Sequence, residues 1–293
     1  MTRAAAEPVL EVRATLGEGP VWDDREQRLL FVDIMGERVH WFHPESGAHS
    51  SSAADGYVGA VVLREDGGLV LARQDCFVYA GPQGEGRAVV EGFTADGTAV
   101  RFNDGKVDPW GRFVAGTTSW EATPTAALHM LWPDNSVTTL LEDVTISNGL
   151  AWSAEGDVLY YIDSPTRRVD AFDVVPASGA IMNRRTVVEM GDVFPDGMAI
   201  DDDGCLWVAL WDAGLVRRYA PDGRLLEVVD VPGGGHVSSV AFGGAGMSTL
   251  YITTARAGLT EAELARAPHA GDLFALEVPV TGPAPFRFAG GPS

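Results

Sequence analysis

The chain has 293 residues and a formal net charge of −20 at pH 7, with a sequence pI near 4.5. An acidic field of this size repels phosphate backbones and argues against a nucleic-acid partner, and no apolar run approaches the roughly 18–20 residues that a membrane helix needs. With 46% hydrophobic and 21% charged residues, the chain can bury a large core and lacks the composition of a disordered protein.

The N-terminal segment, MTRAAAEPVLEV, lacks the apolar core of a secretion signal, so the expected compartment is the cytoplasm. The two cysteines, Cys76 and Cys205, each lie inside a strand-like run. Two thiols at this spacing fit neither a disulfide framework nor a metal motif. Both are predicted to be buried core residues.

Short runs rich in Val, Leu, Tyr, Trp and Phe alternate with clusters of Gly, Pro, Asp and Asn, a pattern typical of an all-β protein. Six segments repeat an apolar strand, a polar or Gly-containing turn and a second apolar strand. In chain order they are GPVWDDREQRLLFV (19–32), GAVVLREDGGLVLA (59–72), GKVDPWGRFVAGT (105–117), GLAWSAEGDVLYYID (149–163), GMAIDDDGCLWVAL (197–210) and SVAFGGAGMSTLYIT (239–253). The equivalent anchors of the second strands are Leu30, Leu69, Phe113, Leu159, Leu206 and Leu250.

These anchors recur every roughly 39–47 residues, the length of a four-stranded propeller blade. The sequence therefore predicts an all-β fold, a six-bladed β-propeller with four-stranded antiparallel blades, as a single domain over residues 1–293. To close the ring, either VLEVRA (9–14) or PFRFAG (285–290) must complete a blade, and we expect the N-terminal strand to join the last one. The segment LTEAELARAP (259–268), with its Thr-x-x-Glu start, predicts a turn or two of helix.

Four oxygen-bearing side chains share one phase of the repeat, about 10–12 residues before the anchor of each unit. They are Glu18, Asn103, Asn148 and Asp196. Residues in this phase lie at the start of the innermost strand of each blade. Because the inner strands run parallel to the ring axis, these four side chains should converge at one mouth of the channel. Such a set suits a hard divalent cation, namely Ca²⁺, Mg²⁺, Mn²⁺ or, with adjusted geometry, Zn²⁺ or Fe²⁺. A plug of satisfied polar residues and water, or a structural ion, is the alternative.

The segments that carry these residues resemble the signature segments of the SMP-30/gluconolactonase family, also called regucalcin-like sugar lactonases. The similar segments, spread in order over all six units, are LGEGPVW (16–22), FVDI (31–34), RFNDGK (101–106), ISNGLAW (146–152), PDGMAID (195–201), AFGG (241–244) and LYITTARAGL (250–259). The resemblance implies a six-bladed propeller that hydrolyses the internal ester of an aldonolactone with one divalent metal ion in its channel.

Carried over motif by motif, the resemblance assigns metal ligands at Glu18, Asn148 and Asp196, and substrate contacts at Arg101, Asn103 and Glu121. A carboxylate at the metal can also accept a proton from the attacking water. Asp196 is the predicted base, and Glu18 is the second candidate. Arg101 could instead form a salt bridge with Asp104 or Glu121.

Other polar and aromatic residues are weaker candidates. Lys106 is expected to pair with an acidic neighbour, whereas His236 and Ser238 fall near the same phase in the last unit. A nucleophilic serine is disfavoured because no Gly-x-Ser-x-Gly elbow exists. Three aromatic residues near predicted loops could form walls of a substrate pocket: Tyr57, Trp120 and Trp211.

The predicted function is metal-dependent hydrolysis of an aldonolactone to an aldonic acid, with metal polarisation of the carbonyl and attack by water. The alternatives are a related propeller hydrolase for non-sugar lactones or phosphotriesters and a non-catalytic metal-binding propeller. The expected partner is a small-molecule sugar lactone, without nucleic acid or membrane, and the chain is expected to be a monomer or a weak homo-oligomer.

Overall fold

The computed structural model describes residues 2–81, 86–91 and 100–291. Two short strands, β1 (Thr2–Ala5) and β2 (Glu7–Leu10), come first. The remaining strands form six antiparallel sheets, which are the blades I to VI of a ring. The predicted six-bladed β-propeller is thereby confirmed.

Each blade takes four strands, numbered outward from the channel. Blade I contains β3 (Gly17–Asp23), β4 (Arg28–Asp33), β5 (Arg38–His43) and β6 (Ala48–Ala53). Blade II contains β7 (Val58–Leu63), β8 (Leu69–Arg73), β9 (Cys76–Ala80) and β10 (Gly86–Glu91). Blade III contains β11 (Val100–Val107), β12 (Phe113–Ser119), β13 (Ala126–Leu131) and β14 (Val137–Val144).

The second half of the ring repeats this order. Blade IV contains β15 (Ser147–Trp152), β16 (Val158–Asp163), β17 (Arg168–Val174) and β18 (Ile181–Glu189). Blade V contains β19 (Pro195–Ile200), β20 (Leu206–Leu210), β21 (Leu215–Tyr219) and β22 (Leu225–Asp230). Blade VI contains β23 (His236–Gly243), β24 (Thr249–Ala255) and β25 (Leu273–Glu277), and it is completed by β2.

The inner strand of every blade contacts the inner strands of both neighbours, so these six strands surround the central channel. Every residue of β7 and β15 is buried, whereas the outer strands β6 and β18 are mostly exposed. Apolar side chains on the inner strands therefore form the core between blades, and polar outer strands face solvent. Cys76 and Cys205 are both buried, as predicted.

The ring is closed by its N-terminal segment. As expected, an N-terminal strand joins the last blade, but it spans Glu7–Leu10 instead of 9–14. It ends there because Arg13 has a φ of 54° and the backbone N–H groups of Val12 and Arg13 donate to Asp272. An unpredicted addition is β1, which pairs in parallel with β22 at the edge of blade V.

Residues 278–291, called here the C-terminal strap, form none of the strands above; only an isolated bridge joins Phe288 to Arg64. The strap crosses the end of the channel opposite to the starts of the inner strands. It hydrogen bonds with the first hairpins of five blades, at Met247, Asp202, Asp23, Leu63 and Gly111. Together with the inner strands, Pro283–Phe286 lines a cavity of about 270 Å³ at this end.

Helical structure is confined to short segments. The helix α1 (Glu261–Leu264) forms within the predicted segment, and Thr260 and Glu263 make the reciprocal hydrogen bonds of a capping box. A single 3₁₀ turn covers Ser164–Thr166. Within the described residues, no helix combines the length and the apolar composition that crossing a membrane would demand.

Candidate functional site

The inner strand of each blade is irregular near its start. In all six inner strands the register with the second strand shifts there, as in a β-bulge. A bulge bends its strand and re-aims the adjacent side chains, and bulges are common beside functional sites. Predicted site residues lie at four of these bulges: Glu18, Asn103, Asn148 and Asp196. The Asn-Gly and Asp-Gly pairs here therefore mark bulges and not hairpin turns.

Two glycines allow neighbouring inner strands to approach closely at these bulges. Gly149 and Gly197 follow Asn148 and Asp196, and neither has a positive φ. A Cβ atom on Gly149 would lie 2.8 Å from the backbone oxygen of Asp196, and one on Gly197 would lie 2.7 Å from Cα of Ser239. Glycine is thus required because the next blade occupies the space of a side chain.

An amide chain links blades III, IV and V. The Nδ2 of Asn103 donates to the Oδ1 of Asn148 at 2.8 Å, and the Nδ2 of Asn148 donates to the Oγ of Ser164 at 2.8 Å. Ser164 in turn donates to the carbonyl oxygen of Pro195 at 2.6 Å, directly before Asp196. This chain fixes the Asn148 amide with its nitrogen toward Ser164 and its oxygen toward Asn103.

Three carboxylates on blades I, III and V form a buried cluster: Glu18, Asp104 and Asp196. Burial, together with the charge of Asp104, raises the pKa of Glu18 from 4.5 to about 8. Burial and the charges of Glu18 and Asp104 raise the pKa of Asp196 well above its usual 3.8. Burial acts in this direction because it disfavours the charged form, and the neighbouring negative charges add to it.

The cluster contains two buried carboxylate oxygens without a hydrogen-bond partner, Oδ1 of Asp196 and Oδ2 of Asp104. Such orphaned acceptors are costly, and a cation would satisfy them. Among the described residues no three His, Cys, Asp or Glu side chains are grouped as a metal site. The ligand set that the resemblance implies combines the carboxylates of Glu18 and Asp196 with the amide oxygen of Asn148, and all three residues are buried. Oxygen donors of this kind fit a hard divalent cation.

Arg101 is buried beside this cluster, and within the described part of the chain its hydrogen bonds stay on its own strand. Its Nη1 donates to the backbone oxygen of Phe102 at 2.9 Å and to the Oδ1 of Asn103 at 2.8 Å. Burial lowers the pKa of Arg101 to about 10, and its Nε has no hydrogen-bond partner. The alternative salt bridge with Asp104 or Glu121 is not formed.

The loop after β12 brings Trp120 against Arg101. The guanidinium carbon of Arg101 lies 5.3 Å from the centroid of the Trp120 ring, and the Tyr57 ring centroid lies 5.5 Å from it. Glu121, the next residue, is exposed, and its backbone N–H donates to the Oγ of Ser119 at 3.2 Å. Of the three aromatic residues predicted to form walls of a substrate pocket, Tyr57 and Trp120 thus lie together beside Arg101, a predicted substrate contact.

Lys106, on blade III, also makes contacts with blades IV and V. Its Nζ donates to the backbone oxygens of Leu150 at 3.1 Å and of Met198, on β15 and β19. The predicted pairing with an acidic neighbour is therefore replaced by two backbone contacts, although the charge of Lys106 is also attracted by Asp104 and Glu18. Burial lowers the pKa of this amine.

The candidates on blade VI have structural contacts. Ser238 is fully buried, its Oγ donates to the carbonyl oxygen of Gly17, and it lies 3.0 Å from the Oγ1 of Thr253. His236 stacks on Trp211 with ring centroids 4.3 Å apart, and its Nδ1 lies 3.0 Å from the Trp211 carbonyl oxygen. These contacts do not provide Ser238 with a general base, in agreement with the absence of a Gly-x-Ser-x-Gly motif.

Sequence reasoning missed the parts played by Asp104 and Ser164. Asp104 was considered only as a partner for Arg101, although a second acidic residue beside Asn103 could have suggested a larger acidic cluster. Ser164 follows the second strand of its blade, where the repeat carries no site signal. The pairing of β15 with β16 brings its hydroxyl to Asn148.

Comparison with known proteins shows the family of this chain. Residues 16–256 match the model of the family described as the SMP-30/Gluconolactonase/LRE-like region. The chain belongs to this family. The match covers blades I to V and the first two strands of blade VI, and includes all the predicted ligands.

Individual members of the SMP-30/gluconolactonase/LRE-like family are similar over almost the whole chain. Regucalcin from Danio rerio is 40% identical over 298 residues, which cover 99% of this chain and 100% of that protein. The putative sugar lactone lactonase YvrE from Bacillus subtilis is 37% identical, with 96% and 97% covered. The crystal structure of a calcium-binding protein, regucalcin, from Agrobacterium tumefaciens superposes with a TM-score of 0.91 at 26% identity, with 98% of each chain covered.

Proposed function

We propose that this protein hydrolyses the internal ester of a sugar lactone, using one divalent cation held by Glu18, Asn148 and Asp196. The observation that supports the proposal is that Glu18, Asn148 and Asp196 are buried at the bulges of three inner strands, where the charge of Glu18 acts on Asp196 and Oδ1 of Asp196 has no hydrogen-bond partner. Membership of a family that includes a putative sugar lactone lactonase supports the reaction type.

Each residue of the site has its own role in the proposed hydrolysis. When bound, the cation would supply a Lewis acid for the ester carbonyl oxygen. Arg101 offers donors to substrate hydroxyls. Asn103 donates from its Nδ2 to Ser147 and Asn148, so it would contact the substrate through its Oδ1, which also accepts from Arg101. Asp196 accepts a proton from the attacking water at Oδ1, and Glu18 is the second candidate for this step. The water oxygen bonds to the carbonyl carbon, the ring C–O bond breaks, and its oxygen takes the proton from Asp196 to give the hydroxyl of an aldonic acid.

In the absence of a cation, burial raises the pKa of both carboxyls above their usual values. Arg101 lies close enough to be attracted by Glu18 and Asp196. It therefore offsets part of their negative charge before a cation enters.

The test uses protein stripped with a chelator and reconstituted separately with Ca²⁺, Mg²⁺, Mn²⁺, Zn²⁺ or Fe²⁺. Hydrolysis of gluconolactone, xylonolactone, arabinonolactone and galactonolactone is followed by pH-stat, with spontaneous opening subtracted. We expect turnover with at least one metal and none after chelation. Preference for aryl esters or phosphotriesters would favour the related hydrolase, and tight metal binding without turnover on any of them would favour a non-catalytic propeller.

A further inference from the structure

Trp120 is a large apolar side chain left open at the mouth of the channel. It exposes 50% of its surface, more than any other large hydrophobic residue that the structure describes. The strand before it, β12, runs antiparallel to β11 and pairs Thr118 with Arg101. Trp120 therefore lies just beyond the start of the inner strand of blade III, at the end of the ring that holds the acidic cluster.

One part of the indole is fixed by the protein. The guanidinium carbon of Arg101 lies 5.3 Å from the ring centroid, and the ring of Tyr57, from blade II, lies 5.5 Å away at an interplanar angle of 53°. Because Arg101 is buried and Tyr57 is half-buried, the part of the indole that contacts them is held in place. The exposed part of the Trp120 side chain is the part that these two residues do not cover.

An indole held in this way suits a sugar ring. Sugars carry C–H groups that pack on aromatic faces, while their hydroxyls need donors and acceptors at the edge. Arg101 provides donors beside Trp120, and Asn103 lies 2.8 Å from Arg101 through its Oδ1. Covering the open face of an aromatic ring would also remove apolar surface from water.

We propose that Trp120 is the platform on which the C–H face of the aldonolactone ring packs, an inference that rests on the proposed lactonase function. Trp120 then sets affinity for the sugar, while the carboxylates perform the proton transfer. It acts on KM and has little effect on kcat, because it contacts C–H groups of the ring carbons and not the carbonyl carbon or the leaving ring oxygen.

The test compares Trp120→Ala and Trp120→Phe with Trp110→Ala on the reconstituted enzyme. Trp110 is a matched control: it lies in the β11–β12 turn at the opposite end of the same blade, and the guanidinium carbon of Arg112 lies 4.8 Å from its ring centroid. We expect Trp120→Ala to raise KM for gluconolactone about tenfold with kcat within about threefold of the wild type, and Trp120→Phe to retain most of the affinity. Trp110→Ala should leave KM unchanged, and melting temperatures show whether each variant folds.

The outcomes are distinct. A wild-type enzyme that hydrolyses no lactone overturns the proposed function and the platform with it. Wild-type turnover combined with an unchanged KM in Trp120→Ala overturns the platform alone. A loss of kcat with unchanged KM would also overturn it, since that result assigns Trp120 to the reacting group.

Discussion

The side-chain nitrogen of Asn103 lies 2.8 Å from the side-chain oxygen of Asn148, on the neighbouring blade. The contact joins a predicted substrate residue to a predicted metal ligand. Arg101 donates to the other end of the Asn103 amide, and Ser164 accepts from the Asn148 amide. One hydrogen-bonded chain therefore couples the predicted substrate position to the predicted metal position. A substitution at either end of this chain should change binding at the other end.

Replacing Ser164 with Ala should weaken metal binding without removing a ligand. The Asn148 amide would lose the partner of its nitrogen and its fixed orientation. Loss of such a supporting contact typically costs about 10–100-fold in metal affinity. Calorimetric titration with Ca²⁺ or Mn²⁺ measures it. Ser153→Ala, which removes a turn contact in the same blade, is the control, and equal affinities in both variants would contradict this role.

Asp196→Asn should abolish metal-dependent turnover, with a loss of more than about a hundredfold. Because the substitution removes one of the buried negative charges, the metal-free variant should melt at a higher temperature than the metal-free wild type. Asp222→Asn, in an exposed turn of the same blade, should change neither property. Activity assays and thermal melts with and without a chelator check both. Persistent metal-induced stabilisation in Asp196→Asn would count against its role as a ligand.

The metal-free protein should lose stability as pH rises. Glu18 has a folded pKa of about 8 against 4.5 for the free side chain, so between these values the native state binds more protons than the unfolded state. The free energy of unfolding therefore falls with pH across this window, and the contribution is fully present only below about pH 4.5. Urea titrations from pH 5 to 8 should show the decline. Saturating metal should flatten it, and Glu18→Gln should reduce it.

Lys106→Met should destabilise the fold. The substitution leaves the carbonyl oxygens of Leu150 and Met198 without their donor and removes the positive charge nearest to Asp104. Removing one partner of a buried charged contact costs about 3–5 kcal/mol. The free energy of unfolding in urea measures the loss. Arg25→Met, which removes an exposed cation, should cost less than about 0.5 kcal/mol.

The C-terminal strap should contribute strongly to stability through one residue. Phe288 is fully buried against blade II, whereas Phe286 is 42% exposed. Phe288→Ala should therefore cost about 3–5 kcal/mol in the free energy of unfolding, and Phe286→Ala much less. Denaturant titration of the two variants provides the comparison. Similar values for both would show that the strap does not clamp the ring through its buried phenyl group.

The repeat pattern predicted much of the fold. All six anchors lie in the second strands of the six blades, and the capped helix forms where Thr260 and Glu263 predicted it. These features could be predicted because strand patterning, turn residues and capping act between neighbours in sequence. Position within the repeat also placed four polar residues at the bulges of inner strands. Their roles as metal ligands or substrate contacts remain predictions.

Two alternatives that the sequence left open are not realised in the structure. The segment 285–290 contains no regular strand, because Phe288 exchanges backbone hydrogen bonds with Leu63 and Glu65 on another blade. Arg101 forms no salt bridge with Asp104 or Glu121, and its Nη1 donates to Asn103 and to the Phe102 carbonyl oxygen instead. No local signal in the sequence distinguishes these outcomes from the alternatives.

The sequence by itself determined the architecture, since apolar strands and turn residues repeated six times specify blades and the phase of the polar residues within them. Tertiary structure alone decided which groups of different blades meet: Asn103 with Asn148, Tyr57 with Trp120, and Lys106 with the carbonyl oxygens of two other blades. The physical reason is that ring closure sets these distances. Residues in separate blades approach only after all the inner strands have packed around one axis, and their hydrogen bonds depend on that packing.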